Sequence, residues 1–164
     1  MDLGADEFTV GRPHPMIDYS LRNARIIEEA KDESVAVILL DIVLGYGSNP
    51  DPLAEIIPVI KQAQAIARQN SRLLPFVCSV TGTDGDPQSR AQVVDGLKRA
   101  EVLVMESNAM ACRFAGTQSD WNAVLAHARR STAVQGERPR GPDTRPSRDR
   151  AQRPPPPSRK AVVH

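Results

Sequence analysis

The chain has 164 residues, of which 40% are hydrophobic and 25% charged, and a formal net charge of +1. That is the size and balance of one soluble globular domain. No apolar stretch is long enough to span a bilayer, and the acidic N-terminus, Met1–Glu7, has no apolar leader core, so a cytoplasmic protein is expected.

The charge is unevenly spread. Residues 1–130 carry 13 Lys+Arg against 17 Asp+Glu, whereas residues 131–164 carry 8 against 3. The latter segment holds 7 of the 14 prolines and no Phe, Tyr, Trp, Leu or Ile. Such a composition cannot bury enough apolar surface to offset the entropy of ordering, so residues 131–164 read as a disordered Pro/Arg-rich tail. No aromatic residue is interleaved with its arginines, so it offers no base-stacking platform, and neither nucleic acid nor membrane is expected as a partner. Cys78 and Cys112 make neither a disulfide framework nor a metal cluster. Both are expected in the core rather than as nucleophiles.

Taken in chain order, Glu7–Val10 reads as a short strand. Asp18 or Ser20 opens a helix with Leu21, Ala24, Ile27 and Ala30 on one face. Val35–Val43 is apolar except at Asp41, and its length and β-branched content fit a strand buried on both faces. Gly45–Pro52 is a dense turn signal. Leu53–Gln69 has helical apolar spacing, with Pro52 well placed at the start and Pro58 expected to kink the helix or move its start. Leu74–Val80 is a strand. Thr81–Asp86 is a loop in which Asp86 is the expected N-cap and Pro87 the first residue of a helix to Arg99, with Ala91, Val94 and Leu97 inward. Glu101–Met105 is a further strand. Ser107 or Asn108 caps a helix through Ala115, with Gly116 as its C-cap. Trp121–Arg130 is a candidate extra helix, and Met105 and Met110 are expected in the core.

The alternation of strand and helix predicts an α/β fold, a small parallel sheet with helices on both faces and right-handed crossovers. The expected division is a domain over 1–116, the extra helix within 117–130 and the tail over 131–164.

In such sheets ligands bind beyond the carboxyl ends of the strands. Two loops there bear glycines and run into helix N-termini, where free N–H groups and the helix dipole favour anions. Gly45, Gly47, Ser48, Asn49, Gly82, Thr83, Asp84 and Gly85 are therefore candidate phosphate contacts, joined by Asn108 at the next helix start and by Arg12. Neither loop has a phosphate-loop or dinucleotide fingerprint, and turn chemistry alone also explains these residue types. His14, stiffened between Pro13 and Pro15, is the candidate acid/base, against the plainer reading of a surface loop histidine. Asp41 requires partners in a buried strand. Either it orients the Gly45 loop through backbone N–H groups, or it lies close enough to the strand end to be hydrated. Asp51, Asp84 and Asp86 read as helix caps and turn formers in preference to Mg²⁺ ligands, and no metal site is assigned.

The run Gly4–Asp18, Val35–Asp51 (VAVILLDIVLGYGSNPD), Thr81–Gln88 and Glu106–Ala109 together resemble the FdrA family over about residues 1–116. The resemblance implies the carboxy-terminal, flavodoxin-like ligase domain of an acyl-CoA synthetase of the succinyl-CoA ligase type. Two such domains pack together in that superfamily, and their helix N-termini face a phosphohistidine or phosphate. A phosphate-bearing ligand is thus implied: an acyl phosphate, carbamoyl phosphate or nucleotide. Some FdrA relatives are implicated as a subunit of an oxamate carbamoyltransferase. The superfamily's Gly-His-Ala-Gly loop does not occur here, so His14 does not take the phosphohistidine role. The CoA-binding Rossmann domain is not in the sequence either. CoA is therefore expected only with that domain or a sister subunit, and a homo-oligomer is a further expectation. The chain reads as a fragment that is inactive alone, or as an interaction domain that kept the fold without the chemistry.

Overall fold

The computed structural model describes residues 10–11, 13–117 and 160–163. Four parallel strands form one sheet: β1 (Val35–Val43), β2 (Phe76–Thr81), β3 (Leu103–Met105) and β4 (Lys160–Val163), in the order β3-β2-β1-β4. Four helices join them in sequence: α1 (Ser20–Lys31), α2 (Pro52–Gln69), α3 (Arg90–Arg99) and α4 (Asn108–Thr117). The expected small parallel α/β sheet is the fold observed.

The period-two alternation of β1 sorts its side chains onto two faces. Ile38, Leu40 and Ile42 face the larger core with Phe76, Cys78 and Val80 of β2. Tyr19, Ile26 and Ala30 from the α1 region, Ile56 and Ile60 of α2, and Val93 and Leu97 of α3 close over it. Val37 and Leu39 face the other way, with Val77, and are covered by Ala111 and Ala115 of α4. Helices thus lie on both faces, and each fully buried aliphatic side chain contributes about 1.5–3 kcal/mol of transfer free energy.

Helix ends show where local chemistry decided the boundary. α2 begins at Pro52, as the missing N–H allows, and Asp51 Oδ1 accepts the Ala54 N–H at 3.1 Å. It runs unbroken through Pro58. α3 begins three residues later than expected, because Asp86 turns back on Thr83 and the capping carboxylate is Asp84, which accepts the Ala91 N–H. α4 is capped by Ser107, whose Oγ accepts the Met110 N–H at 3.2 Å, and it passes through Gly116 instead of stopping there. β3 starts at Leu103 because Glu101 is still part of the exit from α3. Glu101 has φ +61° and donates its N–H to Lys98 O, while Val102 donates to Leu97 O. The same pair of closing bonds ends α2, with Ser71 at φ +55°. Both are Schellman endings built without glycine.

Four expectations about faces are corrected. α1 buries Arg22, Ile26, Glu29 and Ala30, so its inward face is turned one residue from the expected one, and Ala24 is exposed. Two polar side chains can lie inward because they are partnered. Arg22 stacks on Tyr19 at 3.7 Å from the ring centroid and donates to Asp41 O at 2.9 Å, and Glu29 pairs with Arg25 at 2.6 Å. α3 buries Val93, Gly96 and Leu97 while Ala91 is exposed. Met110 and Cys112 lie on the outer side of α4 and are exposed, not core.

Of the expected strand Glu7–Val10 only Val10 is described; it sits in a turn and is 81% exposed. The helix expected over Trp121–Arg130 and most of the 131–164 tail lie outside the described residues. Lys160–Val163, the apolar end of that tail, form β4 beside β1. No described helix is long and apolar enough to cross a membrane.

Candidate functional site

The carboxyl ends of β1 and β2 are held together before any ligand is considered. Leu44 donates its N–H to Thr81 O at 2.8 Å, extending the ladder past the strands. Gly82, at φ +149°, lies so close to Leu44 that a Cβ there would meet Leu44 Cβ at 2.6 Å. Only glycine permits both this backbone conformation and this approach.

Gln88 laces the two glycine loops. Its Oε1 accepts the Gly45 N–H at 3.0 Å, and its Nε2 donates to Gly45 O and Asn49 O, each at 2.9 Å. Asn49 ties in the third loop. It is 1% exposed; its backbone N–H donates to Met16 O, and its Nδ2 donates to Ile17 O and Glu55 Oε1. Its Oδ1 accepts the Asp51 N–H. Ser48 is buried beside it and donates both its N–H and its hydroxyl to Gly45 O. Asn49 and Ser48 thus build the rim and present little to solvent. Gly47 and Tyr46 remain at the surface, Tyr46 being 92% exposed, and nothing lies within 4 Å of a Cβ added at Gly47. Among the described residues no hydrogen bond engages the N–H of Tyr46 or Gly47.

The β2 loop is filled by its own acids. Asp86 Oδ2 accepts the Thr83 N–H at 2.6 Å and the Thr83 hydroxyl at 3.0 Å, and Asp84 Oδ1 accepts the Ala91 N–H at 2.6 Å. The donors that an external anion would need at the start of α3 are therefore met by carboxylates of the chain. Gly85 is exposed between them.

His14 belongs to the same rim. Its carbonyl accepts the N–H groups of Ile17 and Asp18, and its Nδ1 accepts the Met16 N–H at 3.1 Å. The ring is exposed, so Nε2 is the nitrogen left to face solvent. Asp18 Oδ1 accepts the Ser20 N–H at 2.8 Å. That backbone bond, with a further one from the Ser20 hydroxyl, holds its carboxyl below the usual range. Arg12 lies outside the described residues. Asn108 starts α4 on the opposite face of the sheet, where its Oδ1 accepts the Cys112 thiol, and no hydrogen bond among the described residues joins it to the other loops.

Asp41 does not orient the Gly45 loop; Gln88 does. The Asp41 side chain shares the α4 face with Ser79, its register partner on β2, and is half-buried, which agrees with the hydrated alternative. Burial pushes the Cys78 thiol up to about 12, so it is no nucleophile. Among the described residues no group of three or more metal-ligating side chains is gathered.

Two polar residues that the structure shows to matter were not candidates from sequence. Gln88, central to this rim, was legible only as the end of a loop motif. Arg22, which ties α1 to the Asp41 carbonyl of β1, was hidden because apolar periodicity ignores a guanidinium.

Comparison with known proteins agrees with this architecture. A family model described as CoA-ligase matches residues 1–118. A curated relative, "Uncharacterized protein YahF" of Escherichia coli (strain K12), is 47% identical over 108 residues. The match covers 66% of this chain and 21% of that relative, so the chain spans about a fifth of the relative's length. With the family model covering well over half of the chain and the ligase-type layering present, the chain belongs to the CoA-ligase family.

Proposed function

We propose that the chain serves as the ligase-type domain of an FdrA-like acyl-CoA synthetase. In this reading it contributes the Gly45–Ser48 turn to the binding of a phosphate-bearing intermediate. The observation that carries it is the exposed turn itself. It stands at the carboxyl end of the central strand, its shape is fixed from below by Gln88, and its outer N–H groups at Tyr46 and Gly47 have no partner among the described residues. Backbone donors fixed ahead of binding are what an oxyanion needs, and α2 begins a few residues on. Exposed His14 stands on the same rim as a candidate proton donor or phosphate contact, with Nε2 outward.

The Thr81–Asp86 loop takes a different part. Its acids already cap α3, so Gly82, Thr83, Asp84 and Gly85 shape the rim and leave the anion to the Gly45 turn. CoA requires a CoA-binding domain or sister subunit, and the acyl transfer is completed only in that assembly. Carbamoyl phosphate is the competing ligand, since the same turn suits its phosphate group. The filled α3 start favours a second reading, in which the domain keeps the fold as an interaction module without chemistry.

Thermal-shift measurements with phosphate, carbamoyl phosphate, ADP and coenzyme A separate these readings, because a ligand that binds only the folded state raises its apparent stability. The paired variant is Gly47→Glu, which places a carboxylate at the turn without touching its packing. Stabilisation by a phosphate-bearing ligand that disappears in Gly47→Glu is the expected result. Equal stabilisation of both proteins removes the turn from the site. No stabilisation by any ligand, alone or with a CoA-binding partner, leaves the interaction module.

A further inference from the structure

Arg22 lies in the first turn of α1 and is only 6% exposed. Just part of its guanidinium is used. Nη1 donates to Asp41 O at 2.9 Å, and the central carbon lies 3.7 Å from the centroid of the Tyr19 ring. Nε and Nη2 are both buried and have no hydrogen-bond partner among the described residues. A guanidinium keeps its charge at any ordinary pH, and a buried charge is costly unless it is paired.

Among the described residues no group supplies the missing counter-charge. The ion pairs there are Arg25–Glu28, Arg25–Glu29 and Arg68–Glu101. Asp41 meets Arg22 through its carbonyl, while its carboxylate lies on the α4 face of the sheet, across from Arg22. Glu55 Oε1 accepts from Asn49 Nδ2. Cys78 and Tyr19 stay neutral: burial pushes the thiol up to about 12 and raises the phenol.

The strand beside Arg22 is unfilled at the same level. Ile38 and Leu44 donate their N–H groups to Pro75 O and Thr81 O, on the β2 side. The backbone groups of the alternate residues, Asp41 included, therefore point away from β2. The β4 pairing on that side ends at Leu39↔Val163. Asp41 O thus stands past the end of that pairing, and Arg22 reaches it there.

The chemistry of the two free nitrogens is specific. Nε and Nη2 form the side-on fork of a guanidinium, two parallel N–H groups that match two oxygens of one anion. We propose that this fork is the receptor for a small carboxylate, at a site separate from the Gly45 turn. A carboxylate fits in shape, with two coplanar oxygens for two parallel donors. It also fits in charge, one negative for one positive. Phosphate would bring surplus negative charge into a buried place. The small size follows from the burial of the fork, which leaves no room for a macromolecular surface. A bound carboxylate completes the joint between α1 and the open edge of β1. Because α1 follows directly on the loop over 13–19, it also steadies the segment that carries His14.

The test is a titration of the full chain with sodium acetate, against sodium chloride and sodium phosphate at matched ionic strength. The Nε–H proton of Arg22 is read by nuclear magnetic resonance and assigned through the bonded atoms of its own side chain. It is expected to move downfield and saturate with acetate, and to stay in place with chloride. Acetate is also expected to raise the melting temperature of the unaltered chain and not that of Arg22→Met, which keeps the stem against Tyr19. The proton titration decides even where Arg22→Met fails to fold. Gly47→Glu is expected to leave the acetate response unchanged, so this site and the Gly45 turn fail separately. A proton unmoved by acetate shows a fork satisfied by water or by the chain itself, and overturns the proposal. An equal response to chloride or phosphate, or equal acetate stabilisation of Arg22→Met, also overturns it.

Discussion

Gln88 grips Gly45 by both ends of one side-chain amide, accepting its N–H at 3.0 Å and donating to its carbonyl at 2.9 Å, from 43 residues further along the chain. The same Nε2 reaches Asn49 O. Replacing Gln88 by Ala leaves the Asn49 carbonyl and the Gly45 N–H to find water, while Gly45 O keeps its bonds from Ser48, and costs about 1–3 kcal/mol. Gln88→Glu costs at least as much, because its second oxygen then faces Gly45 O and Asn49 O. Urea denaturation of the two variants against the unaltered chain checks both.

The two glycine loops differ in what their glycines do. Gly82→Ala forces a Cβ against Leu44 at φ +149° and is expected to destabilise by about 2 kcal/mol or more. Gly47→Ala enters open space and is expected to change stability by less than about 0.5 kcal/mol. Equal midpoints for the two variants in chemical denaturation would contradict the close approach of the loops.

Asp84 caps α3 and Asp86 shapes the turn before it. Asp84→Ala removes the acceptor for the Ala91 N–H and is expected to cost about 1 kcal/mol. Ser71 sits at the left-handed end of α2 with φ +55°, so Ser71→Gly relieves an unfavourable conformation and is expected to gain about 0.5–1 kcal/mol. Thermal melts of the two single variants should move in opposite directions.

The two thiols should separate cleanly. Cys112 is exposed and is expected to react with a thiol reagent in the native protein, whereas buried Cys78 is expected to react only on unfolding. The folded Cys78 thiol is pushed up from 9.0 to about 12, chiefly by burial, so the folded state holds its proton more tightly than the unfolded one. The stabilisation is complete below pH 9 and is lost as pH rises toward 12. Asp18 has the opposite sign. Its carboxyl is lowered by the Ser20 bonds, so its contribution is present above the unfolded value near 3.8 and is lost as pH falls through the lower folded value. Denaturation of Cys78→Ala and Asp18→Asn across pH is expected to flatten the alkaline and acid limbs respectively.

Most of the sheet was legible because β1 and β2 are short, largely apolar runs rich in β-branched residues, and α2 has an apolar stripe behind a proline start. The faces of α1 and α3 were less so. Arg22 and Glu29 lie inward through a ring contact and an ion pair, partnerships that periodicity does not record. The start of α3 was misplaced because two aspartates two residues apart compete for one cap, and the choice depends on how Asp86 folds back on Thr83. In the candidate site, the loops were identified by their glycines and position. The roles within them depended on Gln88, whose partner is distant in sequence.

Arg72 leaves α2 at the other end of the sheet, where its guanidinium donates to Ala30 O, at the end of α1, and to Val35 O, at the start of β1. One side chain therefore clasps three consecutive elements at the amino rim. The opposite rim is joined loop to loop. A loop-grafting experiment should find the two rims unequal: foreign sequence inserted near Tyr46–Gly47 is tolerated, while insertions between Asp32 and Ser34 or at Arg72 disrupt the scaffold. The domain is built as a fixed base carrying a replaceable crown.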